Sequence, residues 1–109
     1  ILGDMLELGD EAPLRHRNLA EPIAVSGAEE IILVGKHMRI LYAALIEQGK
    51  SAEKIFWFER SDEAAIFAAS RITEGDLVLV KGSRGMRMEW VSEKLLFDPS
   101  EATYFLCCQ

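Results

Sequence analysis

The stretch LVLVKGSRG, residues 77–85, joins a run of four apolar residues to a basic turn that contains two glycines. An apolar run without polar alternation is typical of a strand that is covered on both faces, as in a parallel sheet. The glycines permit a tight turn, and the segment after them predicts a helix that begins near Met86. A strand, a tight turn and a helix in this order predict part of a β-α-β unit.

Three further apolar runs have the same character, and helical patterns separate them. The runs are Ile31–Val34, Ile55–Phe58 and residues 104–107. The helical patterns cover residues 38–48 and 62–72, and Ser61 is the predicted N-cap of the second. A weaker helical pattern follows Pro13. Ile1 and Leu2 are interpreted as the end of another strand. Strands separated by single helices require right-handed crossovers. We therefore expect one α/β domain over residues 1–109, a Rossmann-like three-layer sandwich with a mostly parallel sheet.

Composition excludes several classes of function. The formal net charge of −6 and the pI of about 4.9 indicate an acidic surface, whereas nucleic-acid binding needs a concentrated basic face. No apolar run approaches the roughly 18 residues of a membrane-spanning helix. The cysteines, Cys107 and Cys108, are adjacent and form no CxxC motif, which favours a reducing compartment. We expect no nucleic-acid partner, no membrane insertion and a cytoplasmic protein, with further sequence upstream of Ile1.

The basic turn is the first candidate site. Lys81, Ser83 and Arg84 follow the strand directly, and the carboxyl ends of strands are where open α/β sheets bind ligands. Free N–H groups at the start of the next helix would favour an anion, so the turn predicts an anion or carboxylate site. It matches neither the GxxxxGK[ST] nor the GxGxxG phosphate-binding loop. The alternative is a strand-to-helix turn that happens to be basic.

Asp4 and the two histidines are the second group of candidates. Asp4 follows the predicted first strand, where its carboxylate would accept hydrogen bonds from ribose hydroxyls; the alternative is a solvated loop acid. His16 lies between two arginines, which disfavour its protonated form. The residues alone favour surface or capping positions for His16 and His37. No cysteine or carboxylate at ligand spacing supports a metal site, and no catalytic triad is evident.

Two motifs carry a resemblance to a known family. LGDMLELG at residues 2–9 and GDLVLVKGSRGMRME at residues 75–89 together resemble the C-terminal domain of the Mur ligase family, in particular members that join D-alanyl-D-alanine to a UDP-linked tripeptide. The resemblance covers residues 1–96, and His16 follows Asp4 at a similar distance. The chain departs from the family pattern at Ala20, where a glycine is usual, and residues 98–109 carry no family motif.

The resemblance implies an ATP-dependent ligase of three domains, of which this chain is the third. ATP and Mg²⁺ would be bound mainly by a central domain outside this chain, and ATP would phosphorylate the terminal carboxylate of UDP-MurNAc-tripeptide. The amine of D-Ala-D-Ala would then attack the acyl phosphate. We expect a monomer that closes over the other domains during the reaction.

The resemblance also implies roles for individual residues. Asp4 and His16 match the nucleotide side of the domain junction, and Lys81, Ser83 and Arg84 match a loop that would bind the carboxylate of the dipeptide. No catalytic residue and no metal ligand is expected in this chain, which alone should be inactive.

Three alternatives stay open. The chain resembles, more distantly, the C-terminal domain of related ligases such as folylpolyglutamate synthetases, which use glutamate as the amine donor. It is also compatible with a separate nucleotide-binding or regulatory module. A purely structural interaction domain predicts that Lys81→Ala and Arg84→Ala leave all activity intact.

Overall fold

Strands and helices alternate along the chain, in a computed structural model that describes residues 1–96 and 102–108. The described elements are β1 (Leu2–Gly3), α1 (Ala12–Arg17), α2 (Ala20–Ser26), β2 (Ile31–Val34), α3 (Met38–Glu47), β3 (Ile55–Phe58), α4 (Ser61–Arg71), β4 (Asp76–Gly82), α5 (Glu89–Leu96) and β5 (Ala102–Cys108). Short 3-10 turns occupy Gly9–Glu11, Ala52–Lys54 and Arg84–Met86. The predicted α/β class is confirmed, and each predicted apolar run forms a strand.

The five strands form one sheet in the order β3-β2-β1-β4-β5, and every pairing is parallel. The short strand β1 lies in the centre, with Leu2 opposite Leu33 on one side and Lys81 on the other. The chain winds outward from β1 through β2 to β3, and then crosses back to place β4 on the other side of β1. The carboxyl ends of β1 and β4 therefore form a topological switch point, the place where such sheets bind ligands.

Helices cover both faces of the sheet and produce two cores. On one face α4 and α5 pack on buried strand residues that include Ile32, Val34 and Val80. On the other face α2 and α3 pack on Ile31, Leu33 and Ile55. Successive residues of β2 point to opposite faces, so this one strand contributes to both cores. The three-layer sandwich is confirmed.

One face of β4 is exposed to solvent, although each apolar run was expected to be covered on both faces. Leu77 is 70% exposed and Leu79 is 48% exposed, whereas Val80 is fully buried. The helices on that side pack over β1, β2 and β3, and among the residues whose side chains are described none buries this part of β4. The prediction of a doubly covered β4 is wrong.

Two helix starts also differ from the prediction. Ser61 is the first residue of α4 rather than its N-cap, and Arg60 takes the cap position with an extended φ of −121°. Helix α5 begins at Glu89 rather than near Met86. A 3-10 turn comes first and ends at Arg87, whose left-handed φ of 54° interrupts the helical path.

Two further expectations concern the position of the cysteines and membrane-spanning helices. Cys107 and Cys108 lie on β5 as predicted, but their side chains lie outside the described part of the structure. Within the described residues, no helix combines the length and the apolar character that crossing a bilayer requires.

Candidate functional site

Two loops meet at the switch point, one after β1 (residues 4–9) and one after β4 (residues 83–88). The Ser83 N–H donates to the Asp4 carbonyl oxygen at 3.2 Å, and the Leu6 N–H donates to Ser83 Oγ at 2.9 Å. The two sequence motifs, far apart along the chain, are therefore joined by hydrogen bonds that involve the main chain of both loops.

Glycines allow this close approach. A Cβ at Gly82 would lie 2.7 Å from Cγ of Met88 and 3.1 Å from Cα of Gly3. A Cβ at Gly85 would lie 2.6 Å from Cδ1 of Leu6. A side chain at Gly82 would crowd the main chain of Gly3 at the end of β1, whereas a side chain at Gly85 would meet the flexible end of the Leu6 side chain. Packing between the loops therefore restricts Gly82 more than Gly85.

An open cleft of about 330 Å³ lies beside the loop after β4 and is lined by Gly82, Ser83, Arg84, Met88 and Glu89. Its volume is at the lower end of the roughly 300–1,000 Å³ of small-molecule sites. Met88, which is buried, supplies an apolar wall, and the other side chains supply a guanidinium, a hydroxyl and a carboxylate. This combination suits a small ligand that carries charge.

The Ser83 hydroxyl accepts one hydrogen bond and can donate another. Its oxygen accepts from the Leu6 N–H, and a hydroxyl keeps one proton to donate. The proton is therefore available to an acceptor in the cleft, such as a carboxylate. Ser83 both joins the two loops and lines the cleft.

The three residues of the predicted carboxylate site are not all together. Ser83 and Arg84 line the cleft, and Arg84 is exposed. Lys81 is not among the lining residues. It is still within β4, where the alternation of side chains puts it on the face opposite to Val80 and Gly82. The structure therefore separates Lys81 from the other two predicted residues.

Asp4 is a buried residue with an internal role. It is only 2% exposed, so the alternative of a solvated loop acid is wrong. Its Oδ1 accepts from the Met38 N–H at 2.9 Å, and its Oδ2 accepts from the His37 N–H at 3.1 Å. These N–H groups lie at the start of α3, where the helix dipole favours a negative charge. Asp4 thus ties the end of β1 to α3, and its predicted ribose contact would have to compete with these bonds.

His16 is also buried, so the predicted surface or capping position is wrong. It is 0% exposed, its Nε2 accepts from the Met5 N–H at 3.0 Å, and its Nδ1 lies 2.6 Å from the Ala12 carbonyl oxygen. Both contacts are satisfied by a neutral imidazole with its proton on Nδ1. His16 therefore holds the loop after β1 against α1.

Asp4, His16 and His37 lie close enough to raise the question of a metal. Each offers a ligand atom, and these atoms lie within 4.8 Å of one another. However, both nitrogens of His16 and both oxygens of Asp4 are already engaged. Mg²⁺ also prefers oxygen ligands, and this cluster contains one carboxylate. The cluster does not fit the Mg²⁺ that the resemblance implies, and we assign no metal to it.

An all-parallel α/β sheet covered by helices defines the class of this chain, a Rossmann-like domain, and its cleft lies at the switch point where such sheets bind ligands. Its family follows from comparison with known proteins: residues 1–84 match the family described as Mur ligase, glutamate ligase domain. The chain belongs to this family, and the resemblance seen in the two motifs is confirmed at that level.

Two curated relatives agree with this assignment, and both are UDP-N-acetylmuramoyl-tripeptide–D-alanyl-D-alanine ligases. The protein from Rickettsia prowazekii (strain Madrid E) is 30% identical over 89 residues, which is 82% of this chain and 19% of the relative. The protein from Bacillus subtilis (strain 168) is 27% identical over 99 residues, 91% of this chain and 21% of the relative. The chain spans about a fifth of the length of these relatives. No solved structure matches the chain significantly.

Proposed function

We propose that this chain is the domain of a cytoplasmic, ATP-dependent peptidoglycan ligase that holds D-Ala-D-Ala for addition to UDP-MurNAc-tripeptide. The observation that carries the proposal is the cleft at the end of β4, which is lined by two residues with hydrogen-bond donors, Ser83 and Arg84. The enzyme names of the two relatives supply the identity of the proposed substrates.

The donors in the cleft suit the carboxylate of the dipeptide. A guanidinium binds a carboxylate through paired, charge-assisted hydrogen bonds, and the free proton of the Ser83 hydroxyl adds another donor. Lys81 lies on the other face of the sheet and is left out of this contact. The proposed carboxylate contact therefore uses Ser83 and Arg84, two of the three residues that the sequence predicted.

The domain contributes to the reaction by positioning. In the proposed reaction the terminal carboxylate of the tripeptide substrate is activated as an acyl phosphate, with ATP and Mg²⁺ held by other parts of the protein. The dipeptide amine forms the new amide bond as phosphate leaves. Holding the amine beside the acyl carbon replaces a bimolecular encounter, an effect worth at most about 7–11 kcal/mol of barrier.

Asp4 and His16 are proposed to support the nucleotide side of the same junction. Their side chains fix the loop after β1 from its buried side. We infer that contact with the nucleotide falls mainly to the outer surface of this loop, and that closure over ATP depends on its shape.

Steady-state kinetics of the full chain that the natural gene encodes test the proposal. Arg84→Ala should raise the KM for D-Ala-D-Ala by about 10-fold to 100-fold, because a charge-assisted hydrogen bond contributes roughly 1.5–3 kcal/mol. The KM for ATP should stay within about twofold of the wild-type value, since the cleft holds the other substrate. Arg60→Ala, at an exposed arginine paired with Asp62, is the control. An unchanged KM for the dipeptide in Arg84→Ala would contradict the proposal.

A further inference from the structure

The cleft contains an acidic side chain whose role the carboxylate site does not explain. Glu89 is the first residue of α5, is partly buried and lines the cleft together with Arg84. Among the residues whose side chains the structure describes, the ion pairs involve neither Glu89 nor Arg84. The cleft therefore presents two opposite charges that do not neutralise each other in a direct pair.

A small cleft with a positive and a negative side chain favours a ligand that itself carries both a negative and a positive group. An anion alone would be attracted by Arg84 and repelled by Glu89, and a cation alone would meet the reverse. A free dipeptide has a carboxylate at one end and an ammonium at the other, and two extended residues span at most about 7 Å. A ligand of this size fits a cleft of about 330 Å³.

We propose that Glu89 holds the amino end of the dipeptide while Arg84 and Ser83 hold its carboxylate. This inference rests on the proposed function and assigns to Glu89 a positioning contact with the nucleophile. The same charge disfavours an amine donor with a second carboxylate, such as glutamate, because that group would add repulsion. Glu89 thus favours a zwitterionic peptide with apolar side chains over an acidic amino acid.

The apolar part of the cleft agrees with this substrate class. Met88 is 3% exposed, and Gly82 has no side chain where a Cβ would lie 2.7 Å from Met88 Cγ. Met88 and Gly82 therefore form an apolar part of the cleft lining, which suits methyl side chains and offers no polar partner to a larger polar one.

The test uses the full chain from the natural gene, with the variants Glu89→Gln and Glu89→Asp. The control is Glu93→Gln, an exposed glutamate on the same helix. Two quantities are measured: the KM for D-Ala-D-Ala, and the inhibition constant of propionyl-D-alanine, which has the same shape and carboxylate but lacks the ammonium group. Thermal unfolding of each variant reports whether the domain stays folded.

Glu89→Gln should raise the KM for the dipeptide by about 10-fold to 100-fold, because it removes one charge-assisted contact. The inhibition constant of propionyl-D-alanine should stay the same or fall, since that compound has no ammonium group for Glu89 to bind and its carboxylate is no longer repelled. Glu89→Asp should give an intermediate KM, and Glu93→Gln should behave as wild type.

Two results would overturn the inference. One is a KM for the dipeptide that Glu89→Gln leaves unchanged in an active enzyme. The other is an equal loss of affinity for the dipeptide and for propionyl-D-alanine, which would mean general damage to the cleft. Failure of the proposed function is a different result: the wild-type enzyme would not use D-Ala-D-Ala, or Arg84→Ala would have no effect on its KM.

Discussion

Replacing Asp4 with asparagine should destabilise the domain strongly, because the carboxylate serves two buried main-chain donors. Oδ1 and Oδ2 accept from the N–H groups of Met38 and His37 at 2.9 Å and 3.1 Å. Asparagine has one oxygen and one NH₂ group, so one N–H would face another donor. An unsatisfied buried donor costs about 1–3 kcal/mol, and the remaining hydrogen bond loses about 1 kcal/mol when the acceptor becomes neutral. The expected loss is about 2–4 kcal/mol, a large part of the roughly 5–15 kcal/mol of a typical domain.

Urea unfolding of the 109-residue chain measures this loss, and thermal unfolding should show a decrease in Tm of about 10 °C or more. Amide hydrogen exchange should accelerate first at His37 and Met38, which lose the acceptor. Asp10→Asn removes the same charge from an exposed position nearby and should change the free energy of unfolding by less than about 0.5 kcal/mol. If Asp4→Asn is as mild as this control, the carboxylate does not hold α3, and a direct contact with ribose becomes the better interpretation.

A further prediction concerns backbone conformation. Gly35 has a φ of +112°, and a Cβ there would overlap the Asp4 carboxylate. Gly35→Ala should therefore cost several kcal/mol in urea unfolding. Gly9→Ala is the control, because Gly9 has a φ of +59° but open space around the Cβ position, and it should cost only about 1–2 kcal/mol. Equal losses in the two variants would show that overlap with Asp4 is not the cause.

The strands were predictable because their signal is local. Each run of apolar residues became a strand at or within two residues of the expected bounds, since a continuous apolar run between turn residues has few other ways to be buried. Such a run does not reveal how many faces will be covered. Leu77 and Leu79 have the same residue type as buried strand leucines, and their exposure depends on where α2 and α3 pack.

The errors at His16 and Arg87 have different physical origins. The charges on either side of His16 suggested a surface position, but neighbours in a helix point about 100° apart, so they do not report the environment of the residue between them. The spacing of Ala12 and His16, both buried on α1, was the better signal, because residues four apart share a helix face. The left-handed φ of Arg87 has no sequence signal, since glycine is the usual residue there.

The position of Lys81 differs from the prediction because the strand ends later than expected. The apolar run ends at Val80, but hydrogen bonding continues β4 to Gly82. Side chains alternate along a strand, so extending β4 through Lys81 sends that side chain to the face opposite to Val80. A small error in the end of the strand therefore changed the expected position of the Lys81 side chain, while Ser83 and Arg84, beyond the strand, line the cleft. The binding role of each of the three stays a prediction.

The residues most typical of ligands in the sequence, Asp4 and His16, are the ones the structure buries. Removing a carboxylate and an imidazole from water is costly unless each polar atom is paired, and here main-chain groups provide those partners. Such saturated contacts have one favourable geometry, so they fix the loop after β1. That loop in turn donates the Leu6 N–H to Ser83 Oγ, which sets the direction in which the hydroxyl proton can point. The buried acid and histidine therefore fix the loop that positions Ser83, although neither of them is among the residues that line the cleft.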